Sequence, residues 1–163
     1  GVDKTNKTKG TVWSVGLSRI AGSNIDNPVE AISLDELLFV VKKSSNLYFD
    51  EELPGWHMYG TDIVWEALKK KMNSYIINAP VIHNSLPIFY FDKDFKKSYF
   101  FIRKKWRKHL PIKTTCVMIS RFALKFLIKN KINQIRNVKN KRNNYKRCCN
   151  PVKLAVELGY ENA

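Results

Sequence analysis

Apolar residues recur along this chain in patterns that change several times, and each change predicts an element. Up to Asn27 the chain is polar, rich in Lys, Asn, Thr, Gly and Ser. Its one apolar patch, Val12-Trp13-Ser14-Val15, predicts a short strand within loop. Leu37-Leu38-Phe39-Val40-Val41 is an unbroken apolar run with charge on both sides, which predicts a strand buried on both faces, with Asp35-Glu36 at its entrance. Ile63, Val64, Trp65, Leu68 and Met72 share one helical face. Thr61 or Asp62 is positioned to cap that helix, and Lys69-Lys70-Lys71 suit its C-terminal end. Tyr75-Ile76-Ile77 and Val81-Ile82 read as one strand interrupted at Asn78-Ala79-Pro80, ending at His83. Phe95, Tyr99, Ile102 and Trp106 repeat at helical spacing up to Leu110-Pro111. Val117 to Ile135 is apolar and basic together and predicts a further helical stretch. Val152–Leu158 predicts a short terminal helix.

Charge divides this pattern in two. Residues 1–95 carry 10 Lys/Arg against 12 Asp/Glu, whereas residues 96–163 carry 19 against 2. No acidic residue lies between Asp94 and Glu157. The front half is a balanced globular surface and the back half a polycation, which calls for a polyanionic partner. Residues 113–147 fit an anionic membrane surface, and a helix packed on the rest with a solvated basic tail fits equally well. The three cysteines, Cys116, Cys148 and Cys149, form neither a disulfide framework nor a zinc spacing. They fit reduced thiols in a cytoplasmic setting. The chain opens Gly-Val-Asp without Met, as a piece of a longer product would.

The chemistry-bearing residues concentrate between Tyr48 and Ser85. A loop with Asp50-Glu51-Glu52 and Trp56-His57-Met58-Tyr59 leads into Gly60-Thr61-Asp62 at a helix start, and an apolar strand ends in His83-Asn84-Ser85. A Phe-Asp-Glu step, then Tyr-Gly-x-Asp opening a helix, then a strand ending His-x-Ser, then Lys105-Trp106, resembles the acceptor half of family-two glycosyltransferases of the GT-A type. The resemblance runs from about Ser33 to Ile112.

It implies the C-terminal half of a GT-A-like mixed α/β sheet with flanking helices over residues 1–112, followed by a basic helical appendage over 113–163. It implies an inverting transfer of sugar from a nucleotide-sugar donor to a hydroxyl of a glycan or lipid-linked acceptor. Asp62 falls on the family's general base, with Thr61 where Glu is usual. His83 falls on a ligand to a divalent cation, Mn²⁺ or Mg²⁺. Asp35 falls near the acceptor pocket. Trp56 and His57, aromatic rings beside carboxylates, suit both the C–H faces and the hydroxyls of a sugar. Read without the resemblance, Asp62 is a helix cap and His83 a strand-end histidine. Asp92-Lys93-Asp94 has the letters of the family's metal signature, but it follows the histidine, whereas that signature closes a strand in the nucleotide-binding half. That half is expected to lie outside these residues, so the chain alone is not expected to turn over a nucleotide-sugar. The competing reading is a basic module that binds nucleic acid or a partner through residues 96–147 without catalysis.

Overall fold

The structure, a computed structural model, describes residues 1–137 and 145–160. The described residues form a mixed α/β chain of small sheets and four α-helices. β1 (Val2–Asp3), β4 (Val29–Ser33) and β5 (Tyr75–Ile76) form one antiparallel sheet with β4 in the middle. β2 (Val12–Ser14) pairs antiparallel with β3 (Arg19–Ala21) and parallel with β6 (Val81–His83). β7 (Ile112–Lys113) and β8 (Met118–Ile119) make a two-stranded ribbon. The helices are α1 (Tyr59–Lys69), α2 (Lys93–Lys105), α3 (Leu124–Asn137) and α4 (Pro151–Glu157).

Helix α2 follows the predicted seam. Phe95, Tyr99, Ile102 and Trp106 are all buried, joined by Leu53, Met58, Leu110, Ile112, Ile119 and Phe126. Burying each such side chain contributes about 1.5–3 kcal/mol before entropy is counted. Asp92 is the N-cap of α2, accepting from the Phe95 N–H at 2.8 Å, and Asp94 pairs with Lys97. Both carboxylates of that Asp-x-Asp therefore have local roles at a helix start. Because Phe126 of α3 belongs to the same core, at least part of the basic appendage packs directly on α2.

Four predicted elements come out differently, one of them the helical stretch expected from Val117, whose start forms β8 while the helix begins only at Leu124. Residues 37–41 are not a strand: Leu38 is 61% and Val40 90% exposed. The central strand is β4 just before them, with both edges already paired. The chain then turns at Glu36, whose carboxylate accepts the Gly60 N–H at 3.3 Å and whose carbonyl accepts the Tyr59 hydroxyl at 3.4 Å. This draws the following residues away from the sheet, so Asp35 and Glu36 stand after a strand, not before one. Next, Tyr75–Ile76 and Val81–His83 are two strands in different sheets, separated by the turn through Pro80.

Helix α1 also begins earlier than predicted, at Tyr59, following Met58 in a left-handed conformation (φ 68°). The Asp62 N–H bonds the Met58 carbonyl inside the first turn, so Asp62 is not the cap; the N-cap residue Met58 makes no side-chain bond, and the Glu36 carboxylate takes the Gly60 N–H. The helix stops at Lys69, short of Met72. Lys71 takes a positive φ of 59°, its N–H bonds the Leu68 carbonyl, and the Met72 N–H bonds the Ala67 carbonyl. That pair of bonds is a Schellman closure, here without glycine.

Gly60 seats α1 against the end of β4, where an added Cβ would lie 2.7 Å from the Leu34 carbonyl oxygen. Next to it, the hydroxyls of Ser33 and Thr61 meet at 2.8 Å, fully buried. Gly60→Ala is therefore expected to cost about 1–3 kcal/mol through overpacking against backbone, read as a lowered urea midpoint. An unchanged midpoint would mean that the helix can shift outward without loss.

Candidate functional site

The strongest polar constellation joins the two ends of the motif region. Asp62 faces inward from the first turn of α1 and is 2% exposed. Its Oδ2 accepts from the Lys105 ammonium at 2.7 Å and its Oδ1 from the Trp106 indole N–H at 2.6 Å. These donors lie 43 and 44 residues further along the chain, at the end of α2. Lys105 also bonds Asp50 at 2.6 Å, from the acidic loop, and Glu66 at 2.9 Å, one turn beyond Asp62 on α1. One ammonium thus serves three carboxylates. Trp65 and His109 pack beside Trp106 with tilted rings, centroids 5.0–6.0 Å apart, and make an aromatic wall next to the cluster.

The electrostatics follow from this sharing. Burial raises the Asp62 carboxyl above the usual carboxylate range, and the bonds from Lys105 and Trp106 bring it only part of the way back. Burial alone would lower the Lys105 ammonium, but its bonds to Asp50, Asp62 and Glu66 outweigh burial and raise it. Both partners move upward because Asp62 is the deepest of the three anions and holds only a share of the cation. Asp50, closer to water, is held below its ordinary value by Lys105. The result is a charged lysine beside a deeply buried carboxylate whose proton affinity is raised by burial.

The other predicted site residues are placed separately. Asp35 accepts from the Thr115 hydroxyl at 2.7 Å, which ties the end of β4 to the ribbon after α2. Glu36, beside it, is pushed up to about 7 by burial and by the Asp35 charge, against the N–H groups of Gly60 and Met58. Trp56 is 86% exposed and is not part of the wall beside Asp62; Trp65 and Trp106 form that wall. His57 packs on Phe95 with centroids 5.2 Å apart, the position of a packing histidine.

His83 ends β6 opposite Ser14 of β2, exposed, with its Nδ1 3.5 Å from the Ser85 hydroxyl. Among the described residues, no three His, Cys, Asp or Glu side chains come together as a metal would need. The residues around His83 therefore do not by themselves fit a divalent cation.

A cavity of about 730 Å³ opens beside a different face of α1 from the one that meets Lys105. Ile63 and Ala67 line it from α1, Val12 and Val81 from the β2–β6 pair, and Ile76 and Asp35 from the first sheet. Asp62 does not reach it.

No protein-family model, curated protein or solved structure matches this chain. The site therefore stands on its geometry. The sequence motif contains Asp62 and Lys105-Trp106 but does not show their contact, nor the parts of Glu66, Trp65 and Asp50 in it. Glu66 carried one usable signal, its i, i+4 spacing from Asp62 on the helix.

Proposed function

We propose that this chain is the acceptor side of an inverting glycosyltransferase, with the nucleotide-sugar site lying outside these residues. The observation that supports this most is the meeting of Asp62 with Lys105 and Trp106, two motif pieces far apart in sequence. In this reading an acceptor hydroxyl enters beside Lys105 and the Trp65–Trp106 wall and hands its proton to the Asp62 carboxylate. Its oxygen forms a bond to the anomeric carbon. The bond from that carbon to the diphosphate oxygen breaks, and the electron pair leaves with the nucleoside diphosphate. Lys105 or Trp106 must release one Asp62 oxygen for this to happen, and Asp50 and Glu66 keep the displaced ammonium at the rim. Asp35, Trp56 and His57 lie apart from this point, so the acceptor, a glycan or a lipid-linked sugar, meets Asp62 through Lys105 and the Trp65–Trp106 wall.

The test is release of nucleoside diphosphate from a panel of nucleotide-sugars by the native gene product, with Asp62→Asn as the comparison. Turnover is expected with at least one donor, and the variant is expected to lose about 10²–10⁴-fold. Full turnover in the variant would leave Asp62 as a buried structural latch.

A further inference from the structure

Helix α3 is attached to the core by the side that carries its polar residue. Phe126 stacks on Tyr99 at 4.0 Å, and Asn130, fully buried, donates to the Phe91 carbonyl at 2.9 Å and accepts the Phe91 N–H at 2.7 Å. Leu124, Leu127, Ile128, Ile132 and Ile135 therefore fall on the outer side and are 39–65% exposed. Phe122, just before the helix, is 81% exposed. At 100° per residue these five helix positions make a continuous apolar stripe. Lys125, Lys129 and Arg136 run along one edge of it, Lys131 lies within it, and Arg121 stands at its start; all are exposed.

We propose that this outward face of α3 docks on an anionic lipid bilayer. A stripe of Leu and Ile with lysines along its edge suits a surface that is hydrocarbon below and negative above, since lysine stems can lie along apolar surface while their ammonium groups reach the headgroups. Charge decides against the other occupants. A second copy would bring the same all-cationic face, because no acidic residue lies between Asp94 and Glu157, and would repel it. Nucleic acid would satisfy the cations but leave the Leu and Ile side chains without an apolar partner. No described helix is long and apolar enough to cross a membrane, so α3 would lie in the plane of the interface. Lys139, Lys141 and Arg142, which belong to the basic segment expected to meet a membrane surface, lie outside the described residues.

The test is flotation of the whole 163-residue chain with phosphatidylcholine vesicles, with and without phosphatidylglycerol, at physiological salt. Binding is expected only to the anionic vesicles. The triple variant Leu127→Ser, Ile128→Ser, Ile135→Ser leaves the charge unchanged and is expected to bind about tenfold more weakly or worse. Because these side chains are exposed, its circular dichroism should match the parent. Lys125→Gln with Lys129→Gln should also weaken binding. The proposal fails if anionic vesicles are not bound, or if the triple variant binds them as the parent does, which would leave only general attraction between polyions. It also fails if the parent is a dimer that the triple variant dissociates, or if a single-stranded RNA loses affinity in the triple variant.

Discussion

Lys105→Met will destabilise the folded chain by about 3–5 kcal/mol, and most of that loss will disappear when Asp62 is also Asn. The reason is the depth of Asp62. Its carboxylate is 2% exposed and has Lys105 as its cation and Trp106 as its second donor. Removing the ammonium leaves three carboxylates facing one another, the deepest without a counterion. Asp50 and Glu66 can turn toward water and lose little. Asp62 cannot, so it must stay charged at high cost or take a proton. A carboxyl whose folded value is raised contributes stability below its ordinary value and loses it as pH rises through the folded value. The destabilisation should therefore shrink as the solution is acidified and grow toward neutral pH. Asp62→Asn should cost less, since an amide oxygen still accepts the indole N–H and Lys105 keeps Asp50 and Glu66. Urea unfolding of the two single variants and the double variant gives the coupling directly. If the two single losses simply add in the double variant, the pair seen in the structure does not couple in solution.

Glu36→Gln will make the chain more stable at pH 8 by roughly 3 kcal/mol and leave it nearly unchanged at pH 4.5. Burial, with the nearby Asp35 charge, pushes the Glu36 carboxyl up to about 7 from an ordinary 4.5. Between those values the folded chain holds a proton that the unfolded chain has released. Glu36 thus contributes stability that is complete below about pH 4.5 and is lost as pH rises through 7. Glutamine has the same shape and no charge, so it escapes that loss and can still accept from the Gly60 N–H. Midpoints of urea unfolding at the two pH values test this. Equal shifts at both would mean that the carboxylate reaches water in the folded chain. The effect bears on the site because Glu36 holds the turn that separates β4 from residues 37–41 and seats the start of α1, from which Asp62 projects.

The sequence was most informative where one element's pattern met one partner. The α2 seam was legible because Phe95, Tyr99, Ile102 and Trp106 all face a single core, so the period of the helix and the period of burial coincide. Helix α4 was found from a short apolar segment, within a residue of its observed ends. The division into a balanced front and a cationic back is a property of composition and needed no structure. Asp62 was singled out from a motif, but its surroundings were misjudged. A cap at a helix start and an inward side chain one turn later differ only in where the helix begins, and the left-handed turn at Met58 moved that beginning.

Tertiary structure alone decided the rest, for a common physical reason. An apolar run reports that its residues can be buried, not that a partner strand remains for them. Residues 37–41 lost that competition because β4 already has β1 and β5 on its two edges. An amphipathic period likewise gives the faces of a helix without saying which one is attached. In α3 the buried side is the one with Phe126 and Asn130, fixed by a stacked Tyr99 and the Phe91 backbone, and the apolar stripe is left outside. The cluster of Asp50, Asp62, Glu66 and Lys105 spans more than fifty residues of chain. No local spacing encodes it. It exists because the C-terminal end of α2 reaches the first turns of α1, which depends on the path of everything between them.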